Sequence, residues 1–333
     1  MKEPNYKNQD SDPAGTDSKS PSGEPGESMK GHDDEAEQVD EDPEPEGSDG
    51  KHERHEGESA ESDEGGPKES DEEESAGGDE EGRAENHEQE YDGPVVSIKG
   101  LRKSFKGHEV LKGVDLHVNK GENLVVLGKS GSGKSVLIKC LVKLEWPDAG
   151  EIKVFGKDIA TLDYRELNEM RLKIGFLFQN GALYDSMTVR ENLAFPLKQH
   201  RKKMPRDKKT ALIMEMLDDV GLSDAIDQMP SKLSGGQNKR IGLARTLILR
   251  PELMLYDEPT TGLDTGTAKE ISDLMVRTKN KYKNSSITIT HDMACARITA
   301  DRIVMMKEGV VVAEGSYDEL EKSDDEWIRS FFH

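Results

Sequence analysis

The 333-residue sequence predicts a mainly parallel α/β sheet into which a block of helices is inserted. Three features predict it. Short apolar runs alternate with amphipathic helical segments, the pattern of strands buried on both faces. A glycine-rich loop joins one of these runs to a helix. Between about residues 180 and 250 the periodicity is helical throughout, with no strand-like run.

Charge divides the chain into two parts. Residues 1–92 carry 34 Asp plus Glu against 8 Lys plus Arg, and residues 93–333 carry 34 against 38. The net charge of −22 therefore belongs to the N-terminal part. A uniformly acidic, salt-adapted surface is excluded for the remainder. The N-terminal part is dominated by Gly, Pro, Ser, Glu and Asp, with runs such as Asp71-Glu72-Glu73-Glu74. It holds too little apolar surface to offset the entropy of ordering, so residues 1–92 are expected to be a disordered acidic tail. Its four histidines, His32, His52, His55 and His87, are scattered without metal-ligand spacing. Residues 93–333 are expected to form one domain.

Other compositional features narrow the classes further. No stretch of about 18 apolar residues is present, so no bilayer-spanning helix is expected. Met1–Asp10 has no apolar core of a secretory signal. Cys140 and Cys295 stand alone and read as reduced core residues.

Order is expected from about Pro94. Strands are predicted at Val95–Ile98 and Val110–Val118, the second alternating Val114, Leu116 and Val118 against Asp115 and His117. Asn123–Gly128 reads as a central strand. A helix over Lys134–Lys143 follows, with a core stripe of Val136, Leu137, Cys140, Leu141 and Leu144. Glu151–Phe155 and Ile174–Phe178 are further strands. Helices near Val189–Leu197, Lys208–Val220 and Gln237–Leu249 are separated by Pro205, Gly221 and Pro230. After strand Leu253–Tyr256 come a helix from about Thr267 to Thr278 and the strand Ser286–Thr290. The last predicted elements are helix Met293–Ala300, strand Ile303–Met306 and a hairpin at Val310–Ala313.

The chemistry begins at Gly128-Lys129-Ser130-Gly131-Ser132-Gly133-Lys134-Ser135, which fits G-x-x-x-x-G-K-[ST]. Glycines let backbone N–H groups curl around phosphate, and the following helix points its positive end at the anion. In such a loop Lys134 reaches the β- and γ-phosphates and the Ser135 hydroxyl ligates Mg²⁺. The strand Leu253–Tyr256 then delivers Asp257 and Glu258 to the sheet edge. Asp257 is expected at Mg²⁺, and Glu258 is placed to polarise an attacking water.

Leu233-Ser234-Gly235-Gly236-Gln237 lies about 100 residues after the glycine loop and opens a helix. With this motif, residues 94–333 resemble the ATPases of ABC transporters. The resemblance implies a P-loop nucleoside-triphosphatase fold: a mainly parallel sheet, an antiparallel β subdomain and an inserted α-helical subdomain at about 180–250. It implies ATP and Mg²⁺ as ligands. Phe105 would stack on adenine, where relatives often have Tyr. Gly128 to Ser135, with Val136 behind them, would hold the phosphates, and Ser135, Gln179 and Asp257 the metal. Lys134, Gln179, Glu258 and His291 would carry catalysis, with Glu258 as base and His291 at the γ-phosphate. Ser234, Gly235, Gly236 and Gln237 would bind the nucleotide of a second copy of the chain, beside Asp264 of Gly262-Leu263-Asp264. One chain holds one of each motif, so two copies head-to-tail would complete two sites.

A finer resemblance concerns the cargo. Phe178-Gln179-Asn180-Gly181-Ala182-Leu183-Tyr184, Thr188–Leu197 and the ending Asp324–Phe332 resemble the ATPases of Mla-type phospholipid transporters, which work with MCE-type lipid-binding subunits. That reading expects transport of phospholipid between membranes through a separate integral-membrane permease, with the chain peripheral on the cytoplasmic face of the inner membrane. The alternative is the ATPase of an importer of amino acids or other small solutes. The permease is expected to dock near Gln179 to Asp185. The basic run His200–Lys209 reads as a solvated loop or as a contact for anionic headgroups or the acidic tail. A DNA-organising ATPase is disfavoured: residues 128–233 contain no long coiled coil, and the acidic tail opposes DNA, so no nucleic-acid partner is expected.

Overall fold

The computed structural model describes residues 91–332, apart from Asn180. The expected disordered tail therefore lies outside the described residues, except for Tyr91 and Asp92. β1 (Val96–Phe105) and β2 (His108–Val118) form a hairpin. Its two-residue turn, Lys106-Gly107, has both residues left-handed, with φ +50° and +82°; this turn shape matches the natural twist of the strands. β3 (Asn123–Leu127) is buried at every residue. α1 (Lys134–Leu141), β4 (Ala149–Val154) and β5 (Lys157–Asp158) follow.

α2 (Tyr164–Leu172) then precedes β6 (Ile174–Leu177). Three helices, α3 (Val189–His200), α4 (Arg206–Asp219) and α5 (Gly235–Leu247), fill the interval between β6 and β7 (Leu253–Asp257). The chain ends with α6 (Thr265–Tyr282), β8 (Ser285–Thr290), α7 (Met293–Thr299), β9 (Arg302–Lys307), β10 (Val310–Gly315), α8 (Tyr317–Glu321) and α9 (Glu326–Arg329).

The strands make two sheets. A six-stranded sheet has the order β10-β9-β3-β8-β7-β6, parallel except for β10. A four-stranded antiparallel sheet has the order β2-β1-β4-β5. One apolar core lies between them and encloses α1 and α2 through Leu137, Leu141, Leu167 and Met170. A second joins the inserted helices to β6, β7 and α6, with Leu193, Leu217 and Leu243 at its centre. A third, around Leu127, Ile303 and Ile328, closes the other face. Among the described residues no helix is long and apolar enough to cross a membrane.

The structure departs from the sequence reading in several places. Leu144, expected on the core stripe of α1, lies past the helix end at Leu141 and is exposed, and the two-residue β5 was not expected. α2 was not anticipated, because only Leu167 and Met170 are buried along it. Its start is nevertheless set by a capping box in which Asp163 and Glu166 each accept from the other's backbone N–H. β1 runs seven residues past its predicted end at Ile98 and reaches Phe105. Irregular pairing between Ile98 and Leu101, with Gly100 at φ +58°, carries the strand through a bend instead of ending it. Finally, α8 and α9 follow the last predicted hairpin. Tyr317 packs against Phe332 with centroids 5.0 Å apart, and Trp327 against Phe331 at 4.8 Å.

Arg302 pins the two sheets together. Its guanidinium donates to Glu122 Oε1 at 2.6 Å, to Glu314 Oε1 at 2.6 Å and to the His117 carbonyl at 2.6 Å. Burial raises the Glu122 carboxyl, but hydrogen bonds from Arg302 and the Asn119 amide, with the Arg302 charge, outweigh this and hold it below its usual value. A carboxyl lowered by folding adds stability above its unfolded pKa and loses it as pH falls through the folded value. Arg302→Met is expected to lower stability by about 2–4 kcal/mol at pH 7. Calorimetry should show the gap between parent and variant narrowing below about pH 4.5, the ordinary glutamate value.

Candidate functional site

The carboxyl ends of β3, β7 and β8 lie side by side by register. Leu127 pairs with Thr290, and Asp257 with Ile289. Whatever follows these strands is gathered at one edge: the glycine loop after β3, Glu258 after β7 and His291 after β8.

The loop after β3 requires its glycines. A Cβ at Gly128 would stand 2.5 Å from the Met306 carbonyl oxygen and 2.6 Å from Ser132 Oγ. Gly131 and Gly133 have φ +81° and +100°, which L side chains rarely adopt. The Ser132 hydroxyl is buried and has no hydrogen-bond partner among the described residues. Lys134 is buried and donates to Gly128 O at 2.7 Å and Lys129 O at 3.3 Å, so its ammonium bridges its own loop. Burial lowers the Lys134 pKa; the charges of Glu258 and Asp257 act against that. An orphaned hydroxyl, a buried cation and a glycine cradle at a helix start together fit a phosphate group. Lys129 and Ser130 are exposed at the rim, and Val136 packs into the first core.

Beside the cradle, Ser135 Oγ donates to Asp257 Oδ1 at 3.3 Å. Burial raises the Asp257 carboxyl, while the Ser135 hydrogen bond opposes it. A hydroxyl and a carboxylate oxygen held together are hard donors of the kind Mg²⁺ takes. Glu258 Oε1 lies 3.8 Å from Lys134 Nζ. Glu258 Oε2 accepts from Thr261 Oγ1 at 3.2 Å and lies 2.8 Å from His291 Nδ1. The Glu258 backbone is left-handed, at φ +50°, and its N–H donates to Ile289 O at 2.9 Å. Strain of this kind in a non-glycine residue costs roughly 1–3 kcal/mol and persists only where its surroundings impose it.

Ser234 caps α5. Its hydroxyl accepts from Gln237 N–H at 3.3 Å, and Gln237 Oε1 accepts from Ser234 N–H at 2.9 Å. Asp264 caps α6: the Thr267 hydroxyl and backbone N–H donate to its carboxylate and lower its pKa. The two helix starts meet: a Cβ on Gly236 would lie 2.4 Å from Thr267 Cγ2, and one on Gly235 3.7 Å from Leu263 Cδ2.

The structure thus brings Lys134, Ser135, Asp257, Glu258 and His291 together. Phe105 sits at the β1–β2 turn, 39% exposed, with Lys103 Nζ 5.0 Å from its ring centroid. Gln179 is exposed two residues past β6, and among the described residues no hydrogen bond joins it to Ser135 or Asp257. Likewise no described hydrogen bond links Ser234 or Gln237 to the phosphate loop of the same chain. A cavity of about 900 Å³, lined by Phe155, Lys173, Arg250 and Tyr282 among others, contains none of these side chains.

Three residues escaped the sequence reading. Asn192, fully buried on α3, accepts from Tyr184 N–H and donates to the carbonyls of Tyr184, Met187 and Thr188, so it holds the loop that follows Gln179. Asp292 caps α7 and accepts from Thr260. Lys239 binds the turn after Glu258. The one local signal was Lys239 itself, a charge on the buried stripe formed by Gly236, Gly242 and Leu243.

Fold and site define a phosphate-binding α/β cassette with an inserted helical block. A profile of the ABC transporter family matches residues 111–261. The methionine import ATP-binding protein MetN of Brucella abortus is 39% identical over 222 residues, 67% of this chain and 60% of that protein. The probable ribonucleotide transport ATP-binding protein mkl of Mycobacterium leprae is 38% identical over 241 residues, 72% of this chain and 69% of that protein. The solved dimer of the ATP-binding cassette MJ0796 bound to ADP and Pi superposes with a TM-score of 0.61 at 32% identity, over 66% of this chain and 98% of that one. The chain belongs to the ABC transporter ATP-binding family. It spans about 60% of the length of the Brucella methionine-import relative.

Lys134→Met keeps the apolar stem and removes the charge. At a hundredfold excess over Kd, ATP is expected to stabilise the parent by about 2.7 kcal/mol and so raise its melting temperature. The variant should show no such shift in differential scanning fluorimetry, while its melting temperature without nucleotide stays close to the parent's.

Proposed function

We propose that the chain is the ATP-hydrolysing subunit of an ABC transporter. Two copies would act together beneath a separate membrane permease, on the cytoplasmic face of the membrane. Residues 93–333 would be the cassette and residues 1–92 an acidic tail of separate purpose. The observation that carries this reading is the convergence of Lys134, the Ser135–Asp257 pair and the Glu258–His291 pair on one sheet edge.

In this reading the Lys134 ammonium exchanges the carbonyls of Gly128 and Lys129 for phosphate oxygens. Backbone N–H groups of the loop and the start of α1 face the same anion. Phe105 offers its ring to adenine at the edge of the antiparallel sheet. Mg²⁺, held by Ser135 and Asp257 with Gln179 from the neighbouring loop, would neutralise charge on the transferred phosphoryl group. Glu258 accepts the proton of the attacking water, and His291 and Thr261 fix which oxygen faces it. The capped turn Ser234-Gly235-Gly236, with Gln237 and Asp264 behind it, is free in one chain to meet the nucleotide of a second. The solved relative MJ0796 is a dimer.

The relatives named above are a methionine import protein and a probable ribonucleotide transport protein. They support an importer of amino acids or another small solute over phospholipid transport. The phospholipid reading, and with it an MCE-type subunit, is supported only by the stretches 178–184, 188–197 and 324–332. Cassettes share their nucleotide site whatever they move, so identity across it discriminates poorly between cargoes.

Glu258→Gln is expected to bind ATP, to lose about 10²–10⁴-fold in kcat, and to elute as an ATP-dependent dimer in size-exclusion chromatography. Turnover at the parent rate would remove Glu258 from the role of base. Purification from the native membrane with the partner subunits attached addresses cargo. A solute-binding protein in the complex supports import, whereas an MCE-type subunit with bound phospholipid restores the lipid reading.

A further inference from the structure

Lys239 has no part in the chemistry just described, yet it is placed where few lysines are. Its side chain is 7% exposed, in the stripe by which α5 packs on the sheet. The ammonium donates to Pro259 O at 2.8 Å and Thr261 O at 2.7 Å, and lies 3.5 Å from Glu258 O. An ammonium has three N–H donors, and here each is turned to a carbonyl of one four-residue turn. No carboxylate pairs with it among the described residues. Burying a charge without a counter-ion costs several kcal/mol, and an apolar residue would suit the stripe better. Stability alone therefore does not account for a lysine here.

The turn itself supplies the reason. It begins with Glu258 in the left-handed region, and three of its carbonyl dipoles converge on one buried point. Without a cation there, the dipoles repel, and of the two ties that hold Glu258 at φ +50° only the bond from its N–H to Ile289 O is left. The orientation of the Glu258 carboxylate toward Thr261 and His291 depends on that backbone. Burial lowers the Lys239 pKa, and Glu258 is the charge that most opposes this.

Lys239 also sits five residues after Ser234, on the same rigid helix. Gly242 of that helix presses on the loop after Gln179: a Cβ there would lie 2.8 Å from Gly181 O. In the two-copy arrangement proposed above, on which this rests, the start of α5 meets the nucleotide bound by the other copy, whereas Glu258 serves the nucleotide of its own. We infer that Lys239 is a positioning residue that sets Glu258 and mechanically joins the two nucleotide sites, carrying displacement of α5 at one site to the base of the other.

The test uses the full chain with Lys239→Met, which keeps the stem and removes the donors, and Lys239→Gln, which returns two N–H groups to the same carbonyls. ATPase rates are measured against ATP concentration. Lys239→Met should lose about 10- to 100-fold in kcat, the range expected for a base displaced by about 1 Å. Its KM should stay within about threefold and its Hill coefficient should fall toward one, while Lys239→Gln recovers most of both. Parent kcat and Hill coefficient in Lys239→Met would overturn the inference. So would folded Lys239→Gln no more active than Lys239→Met, with melting temperature as the control for folding. In a Glu258→Gln background, Lys239→Met should still dimerise with ATP; loss of the dimer would make Lys239 a support of assembly and overturn the positioning role. If Glu258→Gln alone fails to dimerise, the two-copy reading fails first, and that failure is visible before Lys239 is touched.

Discussion

The register of three parallel strands carries the site. β3, β8 and β7 are hydrogen-bonded neighbours, and pairing places Leu127 opposite Thr290 and Asp257 opposite Ile289. The strands are buried along almost their whole length, so a one-residue slip would reverse every side chain between the two cores. Burial on both faces thus forces the register, and the register brings together residues 122 and 33 positions apart in the chain. Ser135 meets Asp257, and Glu258 meets His291, because neither strand can move without unpacking both cores.

Electrostatics at this edge is arranged around incomplete charge compensation. Lys134 satisfies its ammonium on its own loop, Ser132 holds a buried hydroxyl with no described partner, and Asp257 is raised by burial. A fully compensated interior would leave no favourable place for a polyanion and a divalent cation. A partly compensated one is less stable by itself and gains when they arrive. The same logic extends to the Glu258 turn, where backbone strain is held by a buried lysine and by the bond from Glu258 N–H to Ile289 O.

α5 is the element through which distant parts of the cassette meet. Its start carries the Ser234–Gln237 capping box, Lys239 grips the Glu258 turn, and Gly242 packs on the loop behind Gln179. Small residues at Gly236 and Gly242 permit these approaches, since a Cβ at either would collide with its neighbour. A helix is stiff on this scale, so movement at one of the three contacts is felt at the other two.

The sequence by itself determined the chemistry and the fold class. The glycine loop, the acidic pair after β7 and the capped Ser-Gly-Gly turn are local patterns, each dictated by a few consecutive residues. Buried strands declared themselves as apolar runs. Tertiary structure alone decided how these parts meet. The left-handed Glu258, the cage around Lys239, the lock that Asn192 places on its loop and the bend that carries β1 to Phe105 leave little trace in hydrophobic periodicity. α2 was missed for a related reason, since its two buried residues give a weak stripe. Periodicity reports which face of an element is buried. It does not report which backbone carbonyl a buried side chain will reach, because that depends on how separate elements pack.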